Sequence, residues 1–207
     1  MAYKPQDRFF KKAKKDNFVA RSAYKLEEID RRHQIIQKGA RIVDLGAAPG
    51  SWMQYLAKAV GQNGAVVGYD IEPVKVAAGE RAKTFVADVF ELTPDAVRRE
   101  IAGITGEDPD GPIRVDAVLS DMAPKLSGIR DADQARSIAL VEKALELAEA
   151  LLGEDGVFVA KFFQGRDADA LQKRVRELFV EVKMLRPEAT REGSREAFIV
   201  AKGRRRS

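Results

Sequence analysis

Short apolar runs alternating with longer segments of helical periodicity constrain this 207-residue chain more than any other feature. Period-two or continuous apolar runs predict strands at Arg41–Leu45, Ala65–Asp70, Thr84–Asp88, Val115–Ser120, Gly156–Lys161, Val180–Leu185 and Ala197–Ala201. Between them, Ser22–Arg32, Gly50–Val60, Pro94–Ile101, Asp131–Leu152 and Ala168–Leu178 carry helical spacing. Ile104–Pro112 is rich in Gly, Pro and Asp and reads as a surface loop. Such alternation predicts a mostly parallel sheet with helices on both faces. The rhythm breaks once. Between Leu185 and Ala197 no helical pattern occurs, so the last of the seven strands is predicted to be antiparallel to its neighbour.

Composition removes several chemistries. The chain has no cysteine and one histidine, His33, flanked by Arg31 and Arg32. A disulfide framework, a thiol nucleophile and a thiolate zinc site are excluded, and a Ser-His-Asp triad would have to recruit His33. No apolar run approaches the ~18 residues of a membrane span, and the basic N-terminus lacks the apolar core of a secretory signal. These features fit a cytoplasmic protein that needs no metal and no membrane. The charge is uneven. Seven basic and two acidic residues lie between Met1 and Arg21, while the whole chain carries +4, so the remainder sums to −1. Phe9, Phe10 and Phe18 are interleaved with those charges, and Arg204, Arg205 and Arg206 follow at the other end. A basic arm over 1–20, a folded domain over 21–203 and a basic tail over 204–207 are the expected organisation. Basic ends on a near-neutral body suit a polyanionic partner, with aromatics available for base stacking. A merely solvated tail is the competing reading.

The first strand runs into Gly46-Ala-Ala-Pro-Gly50. Asp44-x-Gly-x-x-x-Gly50 is neither the Gly-x-Gly-x-x-Gly of dinucleotide binders nor a phosphate-cradling loop followed by Lys-Ser/Thr. It suits a ligand without pyrophosphate, such as S-adenosylmethionine with its positive sulfonium and amino-acid tail. Asp44 could attract the tail's ammonium or organise the loop. Asp70 ends the second strand, where such folds hold ribose hydroxyls. Asp88 ends the third and could accept from an adenine amino group; Trp52 could pack on the ligand or in the core. A bare βα turn and turn-capping aspartates are the alternatives at each position, but all lie at the carboxyl edge of the sheet, where open α/β folds bind ligands.

Strand four ends in Ser120-Asp121-Met-Ala-Pro124, strand five in Lys161-Phe-Phe-Gln-Gly165, and the last strand opens with Ser194-Arg195-Glu196. A lysine closing an apolar central strand is costly to bury unless paired or used. Lys25, on the amphipathic helix before the sheet, could reach the same edge. Together with Ser22-Ala-Tyr-Lys-Leu-Glu-Glu-Ile29 and Asp44-Leu-Gly-Ala-Ala-Pro-Gly50-Ser-Trp52, these motifs resemble the FtsJ/RrmJ (RlmE) family of ribosomal RNA 2′-O-methyltransferases, from about Arg21 to Gly203. Ser51 stands where a second glycine is common in that family, and Tyr24 where other aromatics occur.

The resemblance implies a Rossmann-like class I methyltransferase fold and S-adenosylmethionine as cofactor. It implies a catalytic tetrad of Lys25, Asp121, Lys161 and Glu196, with cofactor contacts at Gly50, Trp52, Asp70, Asp88 and Asp121. The implied substrate is a uridine ribose 2′-hydroxyl of large-subunit ribosomal RNA, in the aminoacyl-site loop of the assembled subunit, with a monomeric enzyme. Methylation of tRNA is a relative's alternative, and a non-catalytic RNA-binding assembly factor on the same fold is a second. Lys161 is the candidate base, which must be neutral to act; it could instead steer the hydroxyl and stabilise developing oxyanion charge. A structural salt-bridge network is the competing account of the four charges.

Overall fold

The structure is a computed structural model that describes residues 16, 18–76, 79–191 and 193–205. In chain order the elements are α1 (Ala23–His33), β1 (Arg41–Leu45), α2 (Ser51–Val60), β2 (Ala65–Asp70), β3 (Ala82–Val86), α3 (Pro94–Thr105), β4 (Val115–Ser120), α4 (Arg130–Leu151), β5 (Leu152–Phe163), α5 (Ala168–Leu178), β6 (Phe179–Leu185) and β7 (Glu196–Arg204). One seven-stranded sheet has the order β3-β2-β1-β4-β5-β7-β6. Pairing is parallel from β3 through β5, and β7 enters antiparallel between β5 and β6. The expected antiparallel last strand is therefore observed.

Strand parity sorts the core into two layers. Val43, Val67, Phe158, Ala160 and Ile199 face one way and pack with α3, α4 and α5. Ile42, Val66, Val159, Phe198 and Val200 face the other and pack with α1 and α2. Alternate residues of a strand point to opposite faces, so each strand serves both layers.

Several boundaries differ from the sequence reading. β3 lies at Ala82–Val86, two residues before the predicted Thr84–Asp88, so Asp88 falls outside the strand and caps a short 3₁₀ turn over Val89–Glu91. β3 is an edge strand with one fully buried residue, which weakens its apolar signal. β5 begins at Leu152, directly after α4, and runs four residues earlier than predicted. α3 extends to Thr105 and is closed by Gly106 in the left-handed region, with Thr93 accepting from the Ala96 N–H at its start. Arg204 ends β7, and Arg205 donates its N–H to the Leu178 carbonyl. Phe9, Phe10, Arg206 and the arm's lysines lie outside the described residues. Among the described residues, no helix is long and apolar enough to cross a membrane.

Candidate active site

The carboxyl ends of β1, β2 and β4 are knitted by backbone. The Gly46 and Ala47 N–H groups both donate to the Tyr69 carbonyl, and the Asp121 N–H donates to the Leu45 carbonyl at 3.0 Å. Gly46 adopts φ +85° and touches the Asp121–Met122 segment so closely that an added Cβ would lie 2.8 Å from the Met122 nitrogen. Gly50 adopts φ +113°, also a glycine conformation, and starts α2. The loop Gly46–Gly50 is thereby drawn into a narrow cradle between two strand ends.

Three aspartates surround this cradle. Asp44 is fully buried, and neither carboxyl oxygen has a hydrogen-bond partner. Burial, then the charges of Asp121 and Asp70, push its pKa well above the ordinary carboxylate range. Asp70 accepts from the Ala48 N–H (2.9 Å) through one oxygen and from the Glu72 N–H (2.9 Å) through the other. Asp88 sits beside it, because the Ala87 N–H donates to the Asp70 carbonyl at 2.9 Å. The exposed side chains of Ile71 and Phe90 follow these two aspartates. A buried unsatisfied carboxyl with two acidic neighbours is unfavourable alone and complementary to a cationic ligand. The donors, charge and glycine cradle thus fit a cationic ligand.

Lys161 ends the central run of β5 and is 6% exposed. Its Nζ lies 2.9 Å from Asp121 Oδ1 and donates to the Asp121 main-chain oxygen at 2.5 Å. Lys25, also 6% exposed, pairs with Glu196 at 2.8 Å and lies 5.7 Å from the centroid of the Phe198 ring. Burial alone would raise the Glu196 pKa, but the Lys25 charge, its hydrogen bond, and the charges of Lys161 and Arg21 hold it below the usual carboxylate range. The four tetrad candidates therefore converge, as two ion pairs that sense one another.

Helix α1, which carries Lys25, is pinned at several points. Trp52 donates its indole N–H to the Ser22 carbonyl at 2.9 Å, and the Ser22 and Ser51 hydroxyls are 2.6 Å apart. Tyr55 donates to Asp30 at 2.8 Å, and Glu28 accepts the Glu188 N–H at 2.7 Å. The structure places Trp52 in the α1–α2 packing, 2% exposed and against Phe198. His33 ends α1, roughly 12 Å along the axis from Lys25. Two residues passed over in the sequence also belong here. Arg21 senses both Glu196 and Arg191. Asp133 binds the loop that follows Asp121. Arg21 is one of the basic residues that precede α1, and Asp133 falls in the first turn of α4, so neither had a distinctive local signal. Among the described residues, no group of three or more His, Asp or Glu side chains could hold a metal ion.

The FtsJ-like methyltransferase family model matches residues 18–204. The chain belongs to that family. The ribosomal RNA large subunit methyltransferase E of Myxococcus xanthus (strain DK1622) is 45% identical over 203 residues, 98% of this chain and 91% of that one. Its counterpart in Syntrophobacter fumaroxidans (strain DSM 10017 / MPOB) is 44% identical over 207 residues, all of both chains. In fold, the chain is similar to a Plasmodium falciparum crystal structure described as a ribosomal RNA methyltransferase, with a TM-score of 0.76 and 21% identity, covering 90% of this chain and 98% of that one. The Rossmann-like methyltransferase architecture read from the motifs is thus the observed one. In this FtsJ-like methyltransferase the Lys161–Asp121 and Lys25–Glu196 pairs lie at one sheet edge, on the α1–α2 side.

Proposed function

We propose that this methyltransferase moves a methyl group from S-adenosylmethionine to the ribose 2′-hydroxyl of a uridine in large-subunit ribosomal RNA, with the aminoacyl-site loop of the assembled subunit as target. The carrying observation is the buried Lys161–Asp121 pair, which stands beside the unpartnered carboxyl of Asp44 at the sheet's carboxyl edge. Support for the substrate comes from the names of relatives 44–45% identical over nearly the whole chain.

Asp44, Asp70, Asp88, Asp121, Gly50 and the Gly46 turn would hold S-adenosylmethionine, with Trp52 fixing the start of α2 beneath it. The bound cofactor supplies a methyl group already activated for displacement. The protein aligns the acceptor and manages its proton. Alignment alone can contribute roughly 7–11 kcal/mol to lowering the barrier. As the methyl's bond to sulfur broke, the 2′-oxygen would gain the methyl and pass its proton to Lys161 Nζ, the proposed base. Asp121 holds that nitrogen in place through two contacts and balances the ammonium that results. Lys25, fixed by Glu196, hydrogen-bonds the acceptor ribose. Removing the carboxylate's charge or the amine's reach would break the alignment before it weakened cofactor binding.

The test is incubation of the protein with methyl-labelled S-adenosylmethionine and large subunits from a strain lacking this enzyme, followed by mapping of 2′-O-methylation. One new methyl on a large-subunit uridine ribose is expected. Label in tRNA alone, on a base, or nowhere would overturn the proposal.

A further inference from the structure

The loop between β4 and α4 leaves two large apolar side chains in solvent: Leu126 is 67% exposed and Ile129 65% exposed. Isolated exposed apolar residues are ordinary. These two lie three positions apart on a loop that is held rigid and tied at both ends to the tetrad. Its first residue is Asp121. Near its other end, the Arg130 carbonyl accepts from the Arg195 guanidinium at 3.3 Å, and Arg195 immediately precedes Glu196. Asp133, 4% exposed, fastens the middle. One of its oxygens accepts from the Ser127 N–H (2.8 Å) and hydroxyl (2.7 Å), and the other from the Gly128 N–H (3.1 Å). These bonds hold the Asp133 carboxyl below the usual range, so it stays charged and keeps its grip. Gly128, at φ +83°, makes the turn they enclose.

The exposed charges on the loop and the first residue of α4 are cationic: Lys125 and Arg130, with Asp131 the first acid beyond. A clamped loop carrying apolar side chains between cations matches what a single-stranded polynucleotide presents, a base face and the phosphates beside it. We propose that this loop is the lip on which the acceptor RNA strand rests. Leu126 and Ile129 take an unstacked base next to the acceptor ribose, and Lys125 takes the adjoining phosphate. The proposal rests on the RNA-methylation reading above. It adds a reason for the clamping of the loop: the acceptor hydroxyl can be aligned to Lys161 only if the strand is held beside Asp121, and RNA loops offer unstacked bases by which a strand can be held.

The test uses the intact enzyme and undermethylated large subunits. The double substitution Leu126→Ala, Ile129→Ala is expected to raise KM for subunits about tenfold, with the Kd for S-adenosylmethionine and the Tm unchanged. Lys125→Ala is expected to flatten the slope of log KM against log salt by about 0.7, the loss of one single-strand phosphate contact. A p-benzoylphenylalanine introduced at Leu126 is expected to crosslink to ribosomal RNA. Asp133→Asn should reproduce the KM rise, and if it unfolds, the surface variants still decide. Unchanged KM in the double variant overturns the proposal, as does a crosslink to ribosomal protein alone or no crosslink. Wild-type enzyme that methylates no ribosomal RNA refutes the functional reading; an active wild type with indistinguishable variants refutes only the lip.

Discussion

Lys161 is asked to do two things, and one substitution can separate them. Lys161→Met keeps the length of the side chain and removes the amine. Asp121, with its side chain 15% exposed, would then lose an ammonium held at 2.9 Å. Breaking a buried ion pair from one side costs about 3–5 kcal/mol, and the partial exposure of Asp121 favours the lower end, about 3 kcal/mol. For a domain of this size that is a fall in Tm of roughly 6–12 °C. Methyl transfer should fall by about 10²–10⁴-fold with the loss of the base, while the Kd for S-adenosylmethionine stays within a few-fold. Adding Asp121→Asn removes the stranded charge. The double variant should regain most of the lost stability and none of the rate. Urea unfolding and single-turnover transfer of labelled methyl to large subunits read the two quantities separately. Turnover within tenfold of wild type in Lys161→Met would refute the assignment of the base. A double variant no more stable than the single would refute the account of the pair.

Three other outcomes follow from the same geometry. Asp44 has a raised pKa, so the folded protein retains a proton there that the unfolded chain has lost; its stabilising contribution is full below about pH 4 and disappears as pH rises through the folded value. Asp44→Asn should therefore flatten the decline of stability with rising pH in cofactor-free protein, and matching urea-unfolding profiles for the two proteins would contradict this. Glu196 is shifted the opposite way, so its pairing with Lys25 is complete above about pH 4.3 and weakens only as pH falls through a lower value. Glu196→Gln should accordingly remove a loss of stability that sets in only at acid pH below that range, and identical acid urea-unfolding profiles for the two proteins would count against the reading. Gly46→Ala should cost about 1–2 kcal/mol for its left-handed backbone plus the displacement of Met122, whereas Gly39→Ala, with φ +82° and no atom within 4 Å, should cost only the backbone part. Equal changes in Tm would remove the close approach at Gly46 as a constraint.

Most of the fold was legible because strand period and helix period differ, and the break after Leu185 marked the hairpin. The errors have local causes. Gly153 reads as the stop of the long helix and Gly156 as the start of the strand, yet β5 begins at Leu152 and passes through both, with a shift of its register against β4 between Val115 and Ala117. Asp88 was placed on a strand because Thr84 and Phe85 carry the apolar signal, while the sheet edge in fact ends at Val86. The identities of the tetrad residues could be read from motifs, but not their pairing. That Lys161 meets Asp121 follows from the β4–β5 register, with Ser120 opposite Ala160, and that Lys25 meets Glu196 depends on how α1 lies across β7, which is set by Trp52, Tyr55 and Glu28. None of these three has a local pattern announcing a contact with its partner. Asp133 looked like an ordinary first-turn acid of a long helix, and only the path of the preceding loop gives it two backbone amides and a hydroxyl to hold.

The convergence of charges has a simple origin in register. Glu196 lies opposite Phe163 and Phe198 opposite Lys161 in the β5–β7 ladder. Lys161 shares parity with Val157 and Val159, Glu196 with Phe198 and Val200, Asp44 with Ile42, and Asp70 with Val66, and all those partners pack on the α1–α2 side. The face that carries the apolar layer beneath α1 and α2 therefore also carries the carboxylates and amines at its rim. A slip of one residue in β5 would turn Lys161 toward the opposite layer and bring Phe162 to the rim, exchanging a paired amine for an aromatic ring and burying a charge among Phe158, Ala160 and Ile199. The same alternation that buries the core thus fixes which side of the sheet can hold the reaction, and the energy of the core is what enforces the register on which the charged site depends.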